Sequence, residues 1–299
     1  MCCLYGLMDI GQSLSAKQKG QIISALAVSA EARGTDATGI AYNTKGRLCV
    51  YKRPWPAHIM RFHIPQDASV IMGHTRMTTQ GSAWRNYNNH PFLGHAENRP
   101  FALAHNGIIY NDRILRGEQK LPSTKIETDS YIAVQLLEQK GALDLNSLPY
   151  MAEQVQGSFA FTVLDDANSL YFVKGDNPLC LWHFKSPDLY LYASTEEILK
   201  NALQKSGMDG LKHKVVSLQD GDILKISRKG ELTWAKFNIS FSCHLSRRFP
   251  YCSGDNWLHL ELLKSMSSAF GYRPEDIEAL HHQGLTSDEI EDYLYYGEF

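Results

Sequence analysis

No apolar run in the 299 residues approaches the roughly 18 needed to cross a bilayer. The segment Met1 to Gln12 lacks the basic, apolar and small-residue regions of a secretory leader, so the chain reads as cytoplasmic. Cysteine is scarce. Six residues (Cys2, Cys3, Cys49, Cys180, Cys243, Cys252) are too few for a disulfide scaffold, and reduced thiols are expected. Basic charge is not in excess either: 30 Lys and Arg stand against 32 Asp and Glu, a net charge of −2. That balance excludes a protein that holds nucleic-acid backbones by counterion release. No fixed-period repeat or low-complexity tract is present. The group Cys243-His244, Cys252 and His259 matches no zinc-ligand spacing, so no metal and no cofactor are expected.

What remains is a globular composition. Hydrophobic residues make up 43% and aromatics 11%, enough for a substantial core. The length allows two domains, or one large domain with a small appendage.

Hydrophobic periodicity places the elements. Ser15 and Gln18 form a capping-box pattern ahead of the stripe Ile22, Ile23, Leu26, Ala27 and Ala30, which predicts a helix over 15–33 ended by Gly34. A hairpin is predicted from 38–42 and 47–52 around Thr44-Lys45-Gly46. Val70–His74 and Phe101–His105 read as buried strands, the second ending at Asn106-Gly107, a turn signal. An amphipathic helix is predicted over 129–140, capped by Thr128 and stopped by Gly141. Strands follow at 158–165, 169–174, 179–184, 189–194 and 221–227, with a helix near 196–206 between them. Strand clusters alternating with helical stretches predict α+β sheets with helical layers, not a doubly wound parallel sheet. Near residue 240 the composition shifts. Helices are expected at 258–270, at 274–282, and from the Thr286/Glu289 capping box through Tyr295. Tyr293, Tyr295 and Tyr296 beside the acidic 289–292 run suit either a partner-docking helix or, preferred here, packing of that helix onto the body.

Several residues could carry chemistry. Cys2 follows the initiator Met, and its small side chain suits removal of Met1. A terminal Cys would hold a thiol and an α-amino group, which ordinarily titrates at about 7.7–8.0, on one residue: a nucleophile with its own base. In the loop Gly73-His74-Thr75-Arg76-Met77-Thr78-Thr79-Gln80-Gly81, Arg76 suits bidentate binding of a carboxylate, or a surface ion pair. Asn106 and Gly107 offer an amide donor and a closely approachable backbone N–H, as an oxyanion hole or an ordinary turn. Asp129 at a helix start could bind an ammonium or complement the helix dipole.

Their order along the chain adds information. Cys-Cys-Leu-Tyr-Gly at the start, Gly-His-Thr-Arg, Asn89-His90-Pro91, His105-Asn106-Gly107-Ile108-Ile109 and Glu127-Thr128-Asp129 follow one another. In this series the chain resembles the class II glutamine amidotransferases, which are N-terminal-nucleophile hydrolases. It is most similar to the glutaminase domain of glucosamine-6-phosphate synthases, without their isomerase domain. The resemblance covers about residues 2–240, leaving 241–299 as a helical C-terminal extension. It implies a four-layer αββα sandwich. It implies Cys2 as the nucleophile that cleaves the side-chain amide of glutamine, or of another γ-glutamyl amide, through a thioester. Asn106 and Gly107 would hold the oxyanion. Arg76 would clamp the α-carboxylate with Thr79 nearby, Asp129 would bind the α-amino group, and His90 would order the pocket.

The family pattern is broken at three places. Cys3 replaces a usual Gly beside the nucleophile, Met77 replaces a Trp associated with the ammonia path, and Gln80 replaces a common His. The residues beyond 240 are too few for a synthase acceptor domain and carry no Gly-rich phosphate loop. Hydrolysis alone, or ammonia delivery to a separate acceptor protein, is therefore expected, with no nucleic-acid or membrane partner. The alternative is a catalytically idle glutamine-binding or scaffold protein that keeps the fold.

Overall fold

The computed structural model describes residues 2–239, 260, 263–264, 267 and 271–296. Thirteen strands form two antiparallel sheets among these residues. The first sheet contains β1 (Cys3–Asp9), β2 (Ala37–Thr44), β3 (Arg47–Arg53), β4 (Val70–Arg76), β9 (Cys180–Phe184), β10 (Leu189–Ala193) and β11 (Lys214–Val215), ordered β11-β9-β10-β1-β4-β2-β3. The second contains β5 (Phe92–Ala96), β6 (Arg99–Ile109), β7 (Gly157–Asp165), β8 (Leu170–Lys174), β12 (Asp222–Ile226) and β13 (Leu232–Lys236), ordered β13-β12-β8-β7-β6-β5.

Strand parity builds the layers. In β1, Cys3, Tyr5 and Leu7 join one core cluster, while Leu4 and Met8 join another. The first cluster is completed by Ile22, Ile23, Leu26 and Ala27 of α1 (Ala16–Ala30) and by Ile198, Leu199, Ala202 and Leu203 of α5 (Glu196–Ser206). The second lies between the sheets, where Leu4, Met8, Val70 and Met72 meet Ala102, Ala104, Ala160 and Phe172. A third cluster packs Phe101, Leu103, Phe161 and Val163 under α3 (Tyr131–Lys140) and α4 (Ser147–Gln154). α2 (Asp112–Glu118) joins this layer through Leu115. Helix, sheet, sheet, helix is the four-layer αββα arrangement expected from the sequence, because each strand offers apolar side chains to both faces.

The Ser15/Gln18 capping box forms as predicted, with the Gln18 N–H donating to Ser15 Oγ at 3.3 Å. α1 ends at Ala30 and tightens into a 3₁₀ turn, Glu31–Arg33, before Gly34. The predicted hairpin is β2–β3, turning through Lys45-Gly46. Two expectations are corrected. Asn106-Gly107 is not a turn: β6 runs on through Ile109, with Asn106 paired to Ala160 and Gly107 to Phe159. Local turn propensity is overridden there by a neighbouring strand that pairs with every residue of the segment. Thr128 is not a helix cap. α3 begins at Tyr131, Ser130 occupies the cap position without a side-chain cap bond, and Thr128 Oγ1 is buried with no partner among the described residues. Strands β1, β5, β11 and β13 and helices α2 and α4 were not anticipated.

At the C-terminal end, α6 (Pro274–His282) and α7 (Ser287–Tyr296) form where predicted, the latter behind a Thr286/Glu289 box. Ile277, Ile290 and Leu294 pack with Leu260 and Leu263 in a small cluster of their own. Among the described residues the apolar side chains of α7 thus join this cluster and not those of the sandwich. The predicted helix 258–270 and the group Cys243, His244, Cys252 and His259 lie wholly or largely outside the described residues. No helix among the described residues is long and apolar enough to cross a membrane.

Candidate active site

Where the two sheets face each other, β6 passes over β1 and β4. β1 runs antiparallel to β4, with Cys3 opposite Thr75, so the start of β1 lies beside the end of β4. Alternation then decides which side chains enter the gap. Leu4 and Met8 face between the sheets, so Cys2 continues on that side. Val70 and Met72 do the same in β4, which aims Arg76 inward. Ala102 and Ala104 do so in β6, and Asn106 continues the row opposite the inward-facing Ala160. Strand parity thus puts three of the predicted residues on the inter-sheet face.

Cys2 is half-buried, and its Sγ donates to the Met77 carbonyl at 3.5 Å. Its own carbonyl accepts from Arg33 Nε at 3.0 Å. Burial raises the thiol pKa above its ordinary value, against the opposing pull of the hydrogen bond to Met77 and of Arg76. The Asp129 carboxylate also acts on this thiol, so the sulfur senses both the guanidinium and the carboxylate predicted to accompany it.

Arg76 is 2% exposed. Its fork is held from behind: Nη1 donates to Asn89 Oδ1 at 2.7 Å, and Nη2 donates to the carbonyls of Gln80 at 2.5 Å and Gly81 at 3.2 Å. A buried guanidinium fixed by neutral acceptors keeps its charge available to an incoming anion. Burial lowers its pKa, while Cys2, Asp129, Asp36 and Glu127 act in the opposite direction. Thr79 is half-buried on the loop that follows.

Asn106 is fully buried, and neither its Oδ1 nor its Nδ2 has a partner among the described residues. Amides of this kind are normally satisfied, so both polar atoms of Asn106 are open to a water or a ligand. Gly107 next to it has φ +137°, and a Cβ there would lie 1.9 Å from the Ser158 carbonyl oxygen. Only glycine fits this backbone.

Asp129 is 4% exposed. Its Oδ2 accepts from the Ile109 N–H at 2.7 Å, which ties it to the end of β6, and its Oδ1 accepts from Ser130 Oγ at 3.3 Å. Burial, aided by Asp112, raises its pKa to about 6 despite these hydrogen bonds. A carboxylate short of charge compensation in a buried site favours a cation.

Three histidines line the wall behind these groups. His90 precedes a cis peptide bond to Pro91, and its ring packs tilted against His74 with centroids 4.2 Å apart and edge-on against Phe92 at 4.3 Å. His74 Nε2 donates to the His105 carbonyl at 2.9 Å, and His105 Nδ1 meets Ser130 Oγ at 2.8 Å. Burial lowers all three: His74 and His105 to about 3, and His90 well below its ordinary value. All three are therefore neutral near pH 7, and none is poised to exchange a proton there.

Sequence reading quoted Asn89 within the Asn89-His90-Pro91 motif without a role, although it holds Arg76, and missed Ser130, which links His105 to Asp129. Asn89 stood beside the singled-out His90, but nothing local shows that its amide turns back onto a strand end 13 positions earlier.

Comparison with known proteins bears on the same region. Residues 74–201 match the family model described as a glutamine amidotransferase domain. The glutamine–fructose-6-phosphate aminotransferase (isomerizing) of Bacillus anthracis is 32% identical over 157 residues, covering 50% of this chain and 26% of that protein. The Chlamydia muridarum protein of the same name is 31% identical over 216 residues, covering 68% of this chain and 34% of its own length. The chain thus spans about a quarter to a third of these relatives. In fold it is similar to the glutamine phosphoribosylpyrophosphate amidotransferase of B. subtilis, with a TM-score of 0.61 and 19% identity, covering 80% of this chain and 50% of that one. A structure titled as the allosteric regulatory enzyme of purine biosynthesis gives a TM-score of 0.62 at 20% identity, covering 80% and 49%. Residues 74–201 thus carry a glutamine amidotransferase domain, and the layered fold and these relatives support a class II glutamine amidotransferase of the N-terminal-nucleophile type.

Proposed function

We propose that the chain hydrolyses the side-chain amide of glutamine, or of a closely related γ-glutamyl amide, with residues 2–240 as the catalytic unit. The observation that carries this reading is the unpartnered, fully buried Asn106 amide beside Gly107, on the same inter-sheet face as Cys2 and Arg76. In this reading Met1 is removed and the freed α-amine accepts the Cys2 proton. Burial of the thiol, which disfavours its thiolate, fits that role, because a thiol that stays protonated at rest needs a base at the moment of attack. The buried histidines, held far below neutrality, are poorly suited to supply it.

Cys2 Sγ attacks the amide carbon. Negative charge moves to the carbonyl oxygen, where the Asn106 amide and the backbone at Gly107 receive it. The proton taken by the amine passes to the leaving nitrogen, and ammonia departs. Water then attacks the resulting thioester and releases glutamate. Arg76 holds the α-carboxylate with Thr79 alongside, Asp129 holds the α-ammonium, and His90 orders the wall behind Arg76. The ammonia goes to solvent or to an acceptor carried by a separate protein.

The test is release of ammonia and glutamate from glutamine, with and without candidate acceptor proteins. A diazo-ketone analogue of glutamine should label Cys2, and Cys2→Ala should abolish both labelling and turnover. Active protein that retains Met1 by intact mass would refute the mechanism. Glutamine binding without turnover or labelling would favour the idle binding protein.

A further inference from the structure

Lys52 lies on β3, two strands away from Arg76. The register places Lys52 opposite Gly39 of β2, and Gly39 opposite His74 of β4, in one row across the sheet. The segment Asn89–His90–Pro91 lies on that row. A Cβ at position 39 would come within 2.1 Å of the His90 carbonyl oxygen and 3.0 Å of Pro91 Cδ, so glycine makes the seat. The flanking side chains grip the segment from both ends of the row. On one side the His74 ring packs at a tilt against His90. On the other, Lys52 Nζ donates to the Asn89 carbonyl and to the Pro91 carbonyl, the latter at 3.0 Å. Asn89 then reaches back, its Oδ1 accepting from Arg76 Nη1 at 2.7 Å and its Nδ2 donating to the Ala83 carbonyl at 2.8 Å.

We propose that Lys52 is a positioning residue for substrate binding: its ammonium clamps the two carbonyls that bracket His90 and so fixes the Asn89 amide that aims the Arg76 guanidinium. The inference rests on the reading of Arg76 as the carboxylate clamp. A cation suits the role, since two carbonyl oxygens of one segment cannot donate to each other and a charged donor binds both more strongly than a neutral one. The groups that face it are Arg76 and His74 from β4, His90 from the seated segment, and the Phe92 ring, whose centroid is 5.0 Å away. Burial first, and the Arg76 charge second, bring the Lys52 pKa down to about 8. The clamp therefore weakens from ammonium to amine at alkaline pH, while the histidines stay neutral throughout.

Two variants of the full chain, Lys52→Met and Lys52→Arg, test this. One readout is glutamine KM and kcat near pH 7 and near pH 9. The other is the rate at which phenylglyoxal modifies Arg76, followed by peptide mass mapping, which needs no glutamine. Lys52→Met should raise KM about tenfold with kcat within about twofold, and should speed Arg76 modification about fivefold. Lys52→Arg should restore both near pH 7. It should also lack the part of the alkaline KM rise that comes from Lys52, the substrate's own amine titrating equally in both proteins. An unchanged modification rate in Lys52→Met overturns the proposal. So does a loss of kcat at constant KM, or a Lys52→Arg variant no better than Lys52→Met. If wild type turns over no glutamine, the functional reading fails, and the modification rates still decide the role of Lys52.

Discussion

Replacing Asn106 by Leu, a residue of similar volume, should slow the enzyme and stabilise the fold together. The side chain is wholly buried, and both its polar atoms lack partners among the described residues, so it contributes desolvation cost to the resting protein without a compensating hydrogen bond. A buried unsatisfied polar group costs about 1–3 kcal/mol. Removing it should raise Tm by about 2–12 °C, at about 2–4 °C per kcal/mol for a unit of this size. In turnover the same amide would face the tetrahedral oxyanion, where loss of one donor costs about 10²–10³ in kcat, or ~2.7–4 kcal/mol. KM should change little, because the uncharged ground-state carbonyl gains less from the donor. Thermal melting and steady-state kinetics on the purified variant read both effects. A variant that melts below wild type would show that Asn106 is a satisfied structural residue. A kcat loss under about tenfold would show that the oxyanion is held elsewhere.

Arg76→Lys keeps the charge but loses the fork that spans Asn89, Gln80 and Gly81. Glutamine KM should rise about 10²-fold with kcat within about threefold, because the carboxylate contact exists in ground and transition states alike. Equal losses in kcat and kcat/KM would place Arg76 in the chemistry instead. Asp129 has a pKa raised to about 6 and must be ionised to receive the substrate ammonium, so kcat/KM should fall as pH drops below about 6. Its folded pKa lies above the unfolded value, so the stability it contributes is complete below pH ~4 and is lost as pH rises through ~6. Asp129→Asn should consequently melt higher than wild type near neutral pH, with the gap closing in acid, while glutamine binding is lost. A gap that widens in acid would mean that Asp129 is paired in the resting protein.

Most of the layered fold was legible because its signals are local. The α1 capping box, the Glu196–Ser206 and Pro274–His282 helices and the apolar runs of β7, β8 and β10 need only a short window of sequence. β1 was not legible. Its Cys-Leu-Tyr-Gly-Leu-Met run is apolar on both faces and shows no alternation, since one face meets α1 and the other meets the second sheet. Asn106-Gly107 misled for the opposite reason: a strong local turn signal sits in a strand whose partners, Ala160 and Phe159, are 54 and 52 positions away. The candidate site followed the same division. Its candidate residues stood out in motifs, Asn89 among them as part of Asn89-His90-Pro91, whereas the contacts of Lys52, Asn89 and Ser130 show only in the folded chain.

The supporting residues explain how this interior tolerates so much buried charge. Arg76, Lys52, Asp129 and three histidines lie close together with little solvent, an arrangement that would normally be strongly unfavourable. Each cation is instead held by backbone carbonyls or amide oxygens, and each histidine is kept neutral by burial. Neutral acceptors hold position without cancelling charge. Arg76 and Asp129 therefore present opposite, incompletely compensated charges, each acting on the Cys2 thiol. A zwitterionic amino acid supplies both missing charges at once. Its binding would relieve the two desolvation costs together, so recognition should weaken sharply for analogues that lack either the carboxylate or the ammonium. An amide substrate carrying only one of them and binding as tightly as glutamine would contradict this account of the cluster.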